Sequence, residues 1–309
     1  MKNIKPIQLL LVVIGLFANI FLSSAFSNER LIIAHRGVHQ TYHKENLDNQ
    51  TCTATRIDQP THNYLENTIL SIRSAFEYGA DIVEIDIHPT RDKHFVVFHD
   101  WTIDCRTEGS GVTREQTLAY LKSLDIGYGY TADQGKTFPF RDKGVGLMPT
   151  LKEVLDEFPN RQFLINFKSR DIQESELFNS FISQYPKQQR QLMSVYGGTE
   201  EMLLTVSLAY PEINAWPSKS TIKKCFITLA LSASYGMAFC DNKTFALPLN
   251  YAEKLMGWPE RVLETITENN SQLFVAGIDS FEVLNRVINY KSIAIWTDKI
   301  EVIGPMLKQ

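Results

Sequence analysis

Positive charge is in short supply in this sequence: 31 Lys and Arg stand against 35 Asp and Glu, a formal net charge of −4 at pH 7. Proteins that track nucleic-acid phosphates carry a basic surplus, so no nucleic-acid footprint is expected. Long apolar runs are missing beyond Leu22. A bilayer crossing takes roughly 20 such residues, so no membrane insertion is expected from that part of the chain. There is no internal repeat, heptad pattern or low-complexity tract. Cysteine is scarce as well. The four present, Cys52, Cys105, Cys225 and Cys240, lack the Cys-x-x-Cys spacing of a structural zinc site.

The one long apolar run stands at the start. Lys2 and Lys5 precede Ile7–Leu22, and small residues follow in Ser23-Ser24-Ala25-Phe26-Ser27. A basic start, a short apolar stretch and a small-residue exit read as an export signal, cleaved after Ser27 to leave residues 28–309. The alternative is an uncleaved anchor, and no cysteine near the run offers a site for a lipid. An exported protein, periplasmic or secreted, meets oxidising conditions in which four cysteines can form two disulfides, with three pairings open.

With 44% hydrophobic residues the chain can build one large core, and α/β barrels run to this length undivided. Short β-branched runs alternate with amphipathic stretches. Strands are expected at Leu31–Ala34, Ile82–Ile87, Phe163–Phe167, Leu192–Tyr196, Glu212–Ala215, Phe245–Leu249, Leu273–Ile278 and Ser292–Trp296. Helices are expected at Thr68–Tyr78, Thr150–Phe158, Ile172–Gln184, Thr199–Ala209, Pro259–Asn269 and Phe281–Tyr290. Eight strands in one alternating series predict a closed TIM (β/α)8 barrel, a single domain over residues 28–309. Two stretches exceed a minimal βα unit, His39–Leu65 and the glycine-rich Trp101–Met148. Both follow strands, so both rise from the face of a barrel where active sites form. That shared face favours pairing Cys52 with Cys105. Cys225 and Cys240 then close a loop over Phe226–Phe239, with free buried thiols as the alternative.

Three clusters carry chemistry. His35-Arg36-Gly37 follows the first strand, placing an imidazole and a bidentate phosphate binder at a strand end. In Ile82–Ile87 alternation puts Glu84, Asp86 and His88 on one face while Val83, Ile85 and Ile87 face the helices. Two carboxylates inside a barrel are costly unless paired or bound to a cation. Their oxygens suit Mg²⁺, Ca²⁺ or Mn²⁺, and a salt-bridged rim pair is the alternative. His99-Asp100 ends the run Phe95–Phe98 and supplies an acid–base partner for His35, from a different strand end.

Taken in order, these motifs resemble the glycerophosphodiester phosphodiesterase family. Leu65-Glu66-Asn67-Thr68 stands where the family has Pro-Glu-Asn-Thr, and Gly79-Ala80-Asp81-Ile82-Val83-Glu84-Ile85-Asp86-Ile87 follows its Gly-Ala-Asp-x-Val-Glu-x-Asp-Val. Val96-Val97-Phe98-His99-Asp100, Asp104-Cys105-Arg106-Thr107 and Pro149-Thr150-Leu151-Lys152-Glu153-Val154-Leu155 continue the match. Ile295-Trp296-Thr297-Asp298-Lys299 closes it. The resemblance implies His35 and His99 as acid and base in unassigned order, Glu84 and Asp86 as metal ligands, and Arg36 and Lys168 on the phosphate. Glu66 is read as a ligand or orienter, Asn67 as a structural cap, and His88 as a neighbour of the ligands.

Three departures stand out. The family's third carboxylate ligand is Asn166 here, in Asn166-Phe167-Lys168, so that position supplies an amide oxygen in place of a charge. The loop Val38–Leu65 is longer than the family's connection. Ala276-Gly277-Ile278-Asp279 replaces a Trp-Thr-Val-Asn element. Trp216, Tyr251 and Trp258 either line a substrate mouth or pack between barrel and helices. The expected activity is divalent-cation-dependent hydrolysis of a small glycerophosphodiester to glycerol 3-phosphate and an alcohol. The alternatives are a phospholipase-D-like lyase that forms a cyclic phosphate, and a catalytically weakened binding protein.

Overall fold

The alternation of strand and helix fixes the scaffold. Described residues of the computed structural model are 30–48, 51–230 and 239–308, so the export-signal reading of residues 1–27 lies outside them. Among the described residues nine strands are found: β1 Ile32–His35, β2 Ile82–Pro89, β3 Phe95–Val97, β4 Gln162–Phe167, β5 Met193–Gly197, β6 Asn214–Ala215, β7 Thr244–Pro248, β8 Gln272–Ala276 and β9 Ile293–Thr297. Eight of them are the expected runs, paired in parallel in the order β6-β5-β4-β2-β1-β9-β8-β7. The architecture is the expected TIM-barrel type, with one difference. Among the described residues no backbone ladder joins β6 to β7. β6 has only two residues, and a side-chain hydrogen bond from Asn214 Nδ2 to Thr244 Oγ1 (3.3 Å) spans the gap.

β3 stands outside the expected series of eight, and His99 follows it, at a strand end different from that of His35 as expected. The strand runs antiparallel against β2, with Ile87 opposite Val97 and Pro89 opposite Phe95. His99 therefore follows a hairpin that folds back on β2, and does not come from a separate barrel strand. The helix expected over Phe281–Tyr290 ends at Asn285. Thr68, Thr150 and Thr199 cap the helices Ile69–Glu77, Leu151–Glu157 and Glu200–Ala209, and Glu153 completes a capping box on Thr150. These caps end each loop at a fixed residue, which holds the site residues just upstream.

All eight residues of β2 are buried. Val83, Ile85 and Ile87 join the main core between sheet and helices. The opposite face begins with an apolar floor of Ile33, Ile82, Leu164, Trp216, Phe274 and Ala294 inside the barrel. One alternation step above that floor the inward residues become polar, which is where the chemistry lies. Trp216 stacks on Phe274 within this layer (5.4 Å between ring centroids), Trp258 packs on the main core, and Tyr251 is exposed.

The two long excursions pack together. Ala54, Ile57 and Leu65 from the first bury against Ile103, Leu121, Ile126, Tyr130 and Phe140 from the second, forming a satellite core. The disulfide Cys52–Cys105 ties them, and Cys225–Cys240 is the second bridge, both as expected. A polar sequence with scattered glycines thus builds a lobe beside the barrel mouth.

Candidate active site

His35 ends β1, where the chain must turn sharply upward. Arg36 and Gly37 both adopt left-handed backbone (φ 59° and 78°). A Cβ on Gly37 would lie 2.2 Å from Ser71 Oγ, so only glycine fits there. The turn aims the Arg36 backbone N–H at Glu84 Oε2 (3.2 Å) and its guanidinium at Glu66 Oε1 (3.1 Å), with Asp86 Oδ2 at 3.5 Å. His35 Nδ1 pairs with Asp298 Oδ1 at 2.6 Å, and its Nε2 faces Glu84 Oε2 at 3.8 Å.

His99 repeats this arrangement from the other side. Its Nδ1 pairs with Asp100 Oδ1 at 2.6 Å, and Asp100 in turn accepts from Arg106 Nε at 2.8 Å. Arg106 is 2% exposed and also meets Glu66 (3.1 Å), Thr53 (2.8 Å) and Tyr130. Each imidazole thus has Nδ1 tied to a carboxylate, which directs Nε2 away from it. Burial and then Arg36 push the His99 ring down, toward its neutral form.

Between them lie the β2 carboxylates. Glu84 is fully buried and Asp86 is 1% exposed. Tyr196, on β5, donates to Glu84 Oε1 at 2.7 Å. Burial and the neighbouring Asp86 charge push Glu84 up to about 7. Asp86 goes the other way: burial opposes ionisation, but Lys168, His99 and Arg36 together hold it well below the usual carboxylate range. Lys168 Nζ lies 3.4 Å from Asp86 Oδ1, and Asn67 Nδ2 donates to Oδ2 at 3.1 Å. One carboxylate is supplied with donors while the other is left short of them, an arrangement a cation between them would relieve.

The residues singled out in the sequence come together, in roles that differ in detail. Asn166 Nδ2 donates to Asp86 Oδ1 at 2.8 Å. Its Oδ1 lies against Gly197, where a Cβ would stand 2.2 Å away. Both oxygens of Glu66 face guanidinium groups, Arg36 and Arg106. Burial pushes the Glu66 carboxyl up, but Arg106 and Arg36 outweigh it and hold it low. Asn67 is not the helix cap; Thr68 takes that place, and Asn67 (φ 58°) serves Asp86. His88 lies beside the site with Nε2 3.5 Å from the His99 carbonyl.

Four participants were not assigned a role from sequence: Asp298, Tyr196, Arg106 and His39. Asp298 and Tyr196 had a readable signal, since both close strands of a barrel and alternation turns them inward. Arg106 and His39 lie on the excursions, where no periodicity reports direction.

Comparison with known proteins gives a consistent picture. The family model described as "Glycerophosphoryl diester phosphodiesterase family" matches residues 35–302. A glycerophosphodiester phosphodiesterase of Caldanaerobacter subterraneus subsp. tengcongensis is 38% identical over 107 residues, 34% of this chain and 40% of that protein. One from Bacillus subtilis is 39% identical over 110 residues, 34% of this chain and 36% of that protein. The matched stretch therefore spans about two fifths of these relatives' length. The glycerophosphoryl diester phosphodiesterase domain of an uncharacterized Mycobacterium tuberculosis protein superposes with a TM-score of 0.68 at 15% identity, covering 90% of this chain and 99% of that one. An Oleispira antarctica phosphodiesterase, solved with the product sn-glycerol-3-phosphate, gives 0.61 at 18% identity, covering 91% and 98%. At such identities the structures speak for the fold.

Proposed function

Because the chain belongs to the glycerophosphoryl diester phosphodiesterase family, we propose that it hydrolyses small glycerophosphodiesters to glycerol 3-phosphate and an alcohol. The observation that carries this reading is the pair of His–Asp dyads, each closed at 2.6 Å, facing each other across the β2 carboxylates. Phosphodiester hydrolysis needs one group to take a proton from the nucleophile and another to give one to the leaving oxygen. Two oriented imidazoles meet that need. The product held by the Oleispira antarctica enzyme is the one this reaction releases.

The surroundings of the two rings divide the roles. His99 is held toward neutrality beside Arg36 and Lys168, so its Nε2 takes the nucleophile's proton. His35, its Nδ1 held by Asp298, presents Nε2 from the opposite side of the site, toward Glu84, so it gives its proton to the departing alkoxide. Lys168 and Arg36 bind the phosphoryl oxygens, whose charge grows as the nucleophile adds. Lys168 keeps a fifth of its side chain exposed at the mouth, while Arg36 is sunk among carboxylates and has a buried Nε without a hydrogen-bond partner.

A divalent cation, Mg²⁺, Ca²⁺ or Mn²⁺, belongs to the same reading, and the donor set fits it. Glu84 and Asp86 would hold it as hard oxygen ligands, and the raised Glu84 marks charge that lacks a counterion. When bound, such an ion shares the phosphoryl charge and lowers the pKa of a bound hydroxyl or water. Asn166, whose amide N–H serves Asp86, and Glu66, held by two arginines, are proposed to orient the site. The two disulfides support export to an oxidising compartment.

The test is a panel of glycerophosphodiesters followed by phosphorus NMR, with Mg²⁺, Ca²⁺ or Mn²⁺ and again after chelation. Chelator-sensitive release of glycerol 3-phosphate is expected. A persistent cyclic phosphate would replace this reading by the lyase, and binding without turnover would replace it by a weakened binding protein.

A further inference from the structure

On the side of His35 away from the β2 carboxylates, a residue that the hydrolysis does not use, His39, adds a third donor to the His35–Asp298 dyad. His35, His39 and Asp298 place one donor atom each within 4.8 Å of one another. His39 comes from the first excursion and is 1% exposed. Its Nδ1 lies 3.0 Å from the Gln40 carbonyl oxygen, which accepts only, so Nδ1 carries the ring's hydrogen. In the neutral ring the lone pair is therefore on Nε2. That buried Nε2 has no hydrogen-bond partner and points at Asp298 Oδ1 from 3.7 Å. In that neutral form two acceptors face each other across a gap; burial opposes a charge on His39, but Asp298 outweighs it and pushes the ring up, so a proton on Nε2 is what an ion would displace.

We propose that this gap is a site for a transition-metal ion of the Zn²⁺ type, bound by His39 Nε2, His35 Nδ1 and Asp298, and that its occupation inhibits the enzyme. Tetrahedral bonds of about 2.0–2.1 Å separate neighbouring donors by about 3.3 Å, so the observed spacing closes with small shifts. The His39 tautomer is already that of a metal-bound histidine, its other nitrogen donating to a backbone carbonyl. Two imidazoles and one carboxylate select Zn²⁺ or Co²⁺ over the hard cations suited to Glu84 and Asp86. Lys44 Nζ, 2.6 Å from Asp298 Oδ2 and 3.0 Å from Asp279 Oδ2, opposes the ion by its charge, and its half-exposed side chain must open the Asp298 ion pair for the ion to bind. Metal and proton compete for the same nitrogens, so binding tightens as pH rises.

The inhibition follows from the tautomer. An ion on His35 Nδ1 leaves a neutral ring with its hydrogen on Nε2, a far weaker acid than the imidazolium the leaving group needs. Binding stands independently of the substrate; only the inhibition rests on the proposed function.

Co²⁺ titration of the full chain at pH 8 tests the site, since tetrahedral Co²⁺ absorbs visible light far more strongly than octahedral Co²⁺. One tetrahedral equivalent is expected in the native protein and in Glu84→Gln. The band is lost, or its affinity falls at least about tenfold, in both His39→Ala and His39→Gln, with near-UV circular dichroism unchanged to show the fold intact. Lys44→Met is expected to bind about fivefold tighter, the effect of one charge removed at close range. A missing band, a band that survives His39→Ala, or one lost in Glu84→Gln overturns the site. If the band behaves as expected but Zn²⁺ fails to slow hydrolysis, the site stands and the acid role of His35 falls.

Discussion

The two histidines proposed as acid and base make the same 2.6 Å bond to a carboxylate, yet they belong to different kinds of structure. His35 stands on a barrel strand, and its partner Asp298 lies 263 residues away, joined to it by the parallel ladder between β1 and β9. His99 follows an off-barrel hairpin, its partner is the next residue, and the pair is anchored by Arg106 in the satellite lobe. The first dyad depends on strand register. The second depends on a buried charge network that the lobe must keep intact. Barrel geometry and loop packing thus reach one chemical result by separate routes, and disturbing either should affect only one dyad directly.

The largest effect is expected at Arg106. Arg106→Met leaves the buried Glu66 with Arg36 alone and Asp100 with His99 alone, and removing one partner from such a buried charge network costs about 3–5 kcal/mol. Urea unfolding should show that loss, and a variant as stable as the native chain would break the claim that the network holds the lobe. Next come the disulfides. Replacing Cys52 and Cys105 by alanine opens a bridge spanning 53 residues and should cost about 4 kcal/mol. It should also lower kcat through His99. Replacing Cys225 and Cys240, which span 15 residues, should cost a similar amount and leave kcat alone. Equal losses of kcat in both would erase the distinction between lobe and barrel.

A smaller effect is expected at the seam of the two regions. There the lobe's Arg114 pairs with Asp171 at 2.7 Å, and Glu174, 2% exposed, takes a hydrogen bond from Ser169. Burial pushes Glu174 up to about 7, and the Ser169 bond only partly opposes it. The carboxyl is therefore harder to ionise in the folded chain than in the unfolded one. Its contribution is fully present below about pH 4.5 and is lost as pH rises through about 7. Glu174→Gln should gain about 3 kcal/mol over the native chain at pH 8 and almost nothing at pH 4. Thermal unfolding at both values decides it, and an equal difference at the two would contradict the burial account. Smallest is Asn166→Glu, which restores a third carboxylate and should tighten divalent-cation binding about tenfold, a gain of roughly 1.4 kcal/mol. Calorimetric titration giving unchanged or weaker affinity would remove position 166 from the metal's surroundings.

Sequence legibility divided along the same line. The barrel strands were readable because burial on both faces demands continuous apolar runs, and the inward turn of Glu84, Asp86 and Asn166 follows from alternation. β3 was readable as an apolar run but not as a hairpin, since nothing in Phe95–Val97 distinguishes antiparallel from parallel pairing. The lobe was readable only as two over-long excursions on one face with a cysteine in each. Arg106 looked like part of a motif, but its four partners come from four separate stretches, and no local pattern encodes such a convergence. His39 and Lys44 lie in a polar loop without period, so their meeting with Asp298 was invisible until the fold placed it.

The division of labour between the dyads has a direct test: kcat for His35→Ala and His99→Ala on an alkyl glycerophosphodiester and on a p-nitrophenyl phosphodiester. A nitrophenolate leaves without an acid's help, so His35→Ala should lose about 10³-fold on the alkyl substrate and regain most of that on the activated one. His99→Ala should stay about 10³-fold slow on both. Recovery of His99→Ala instead of His35→Ala, or equal losses on both substrates for both variants, would contradict the assignment of His35 as acid and His99 as base.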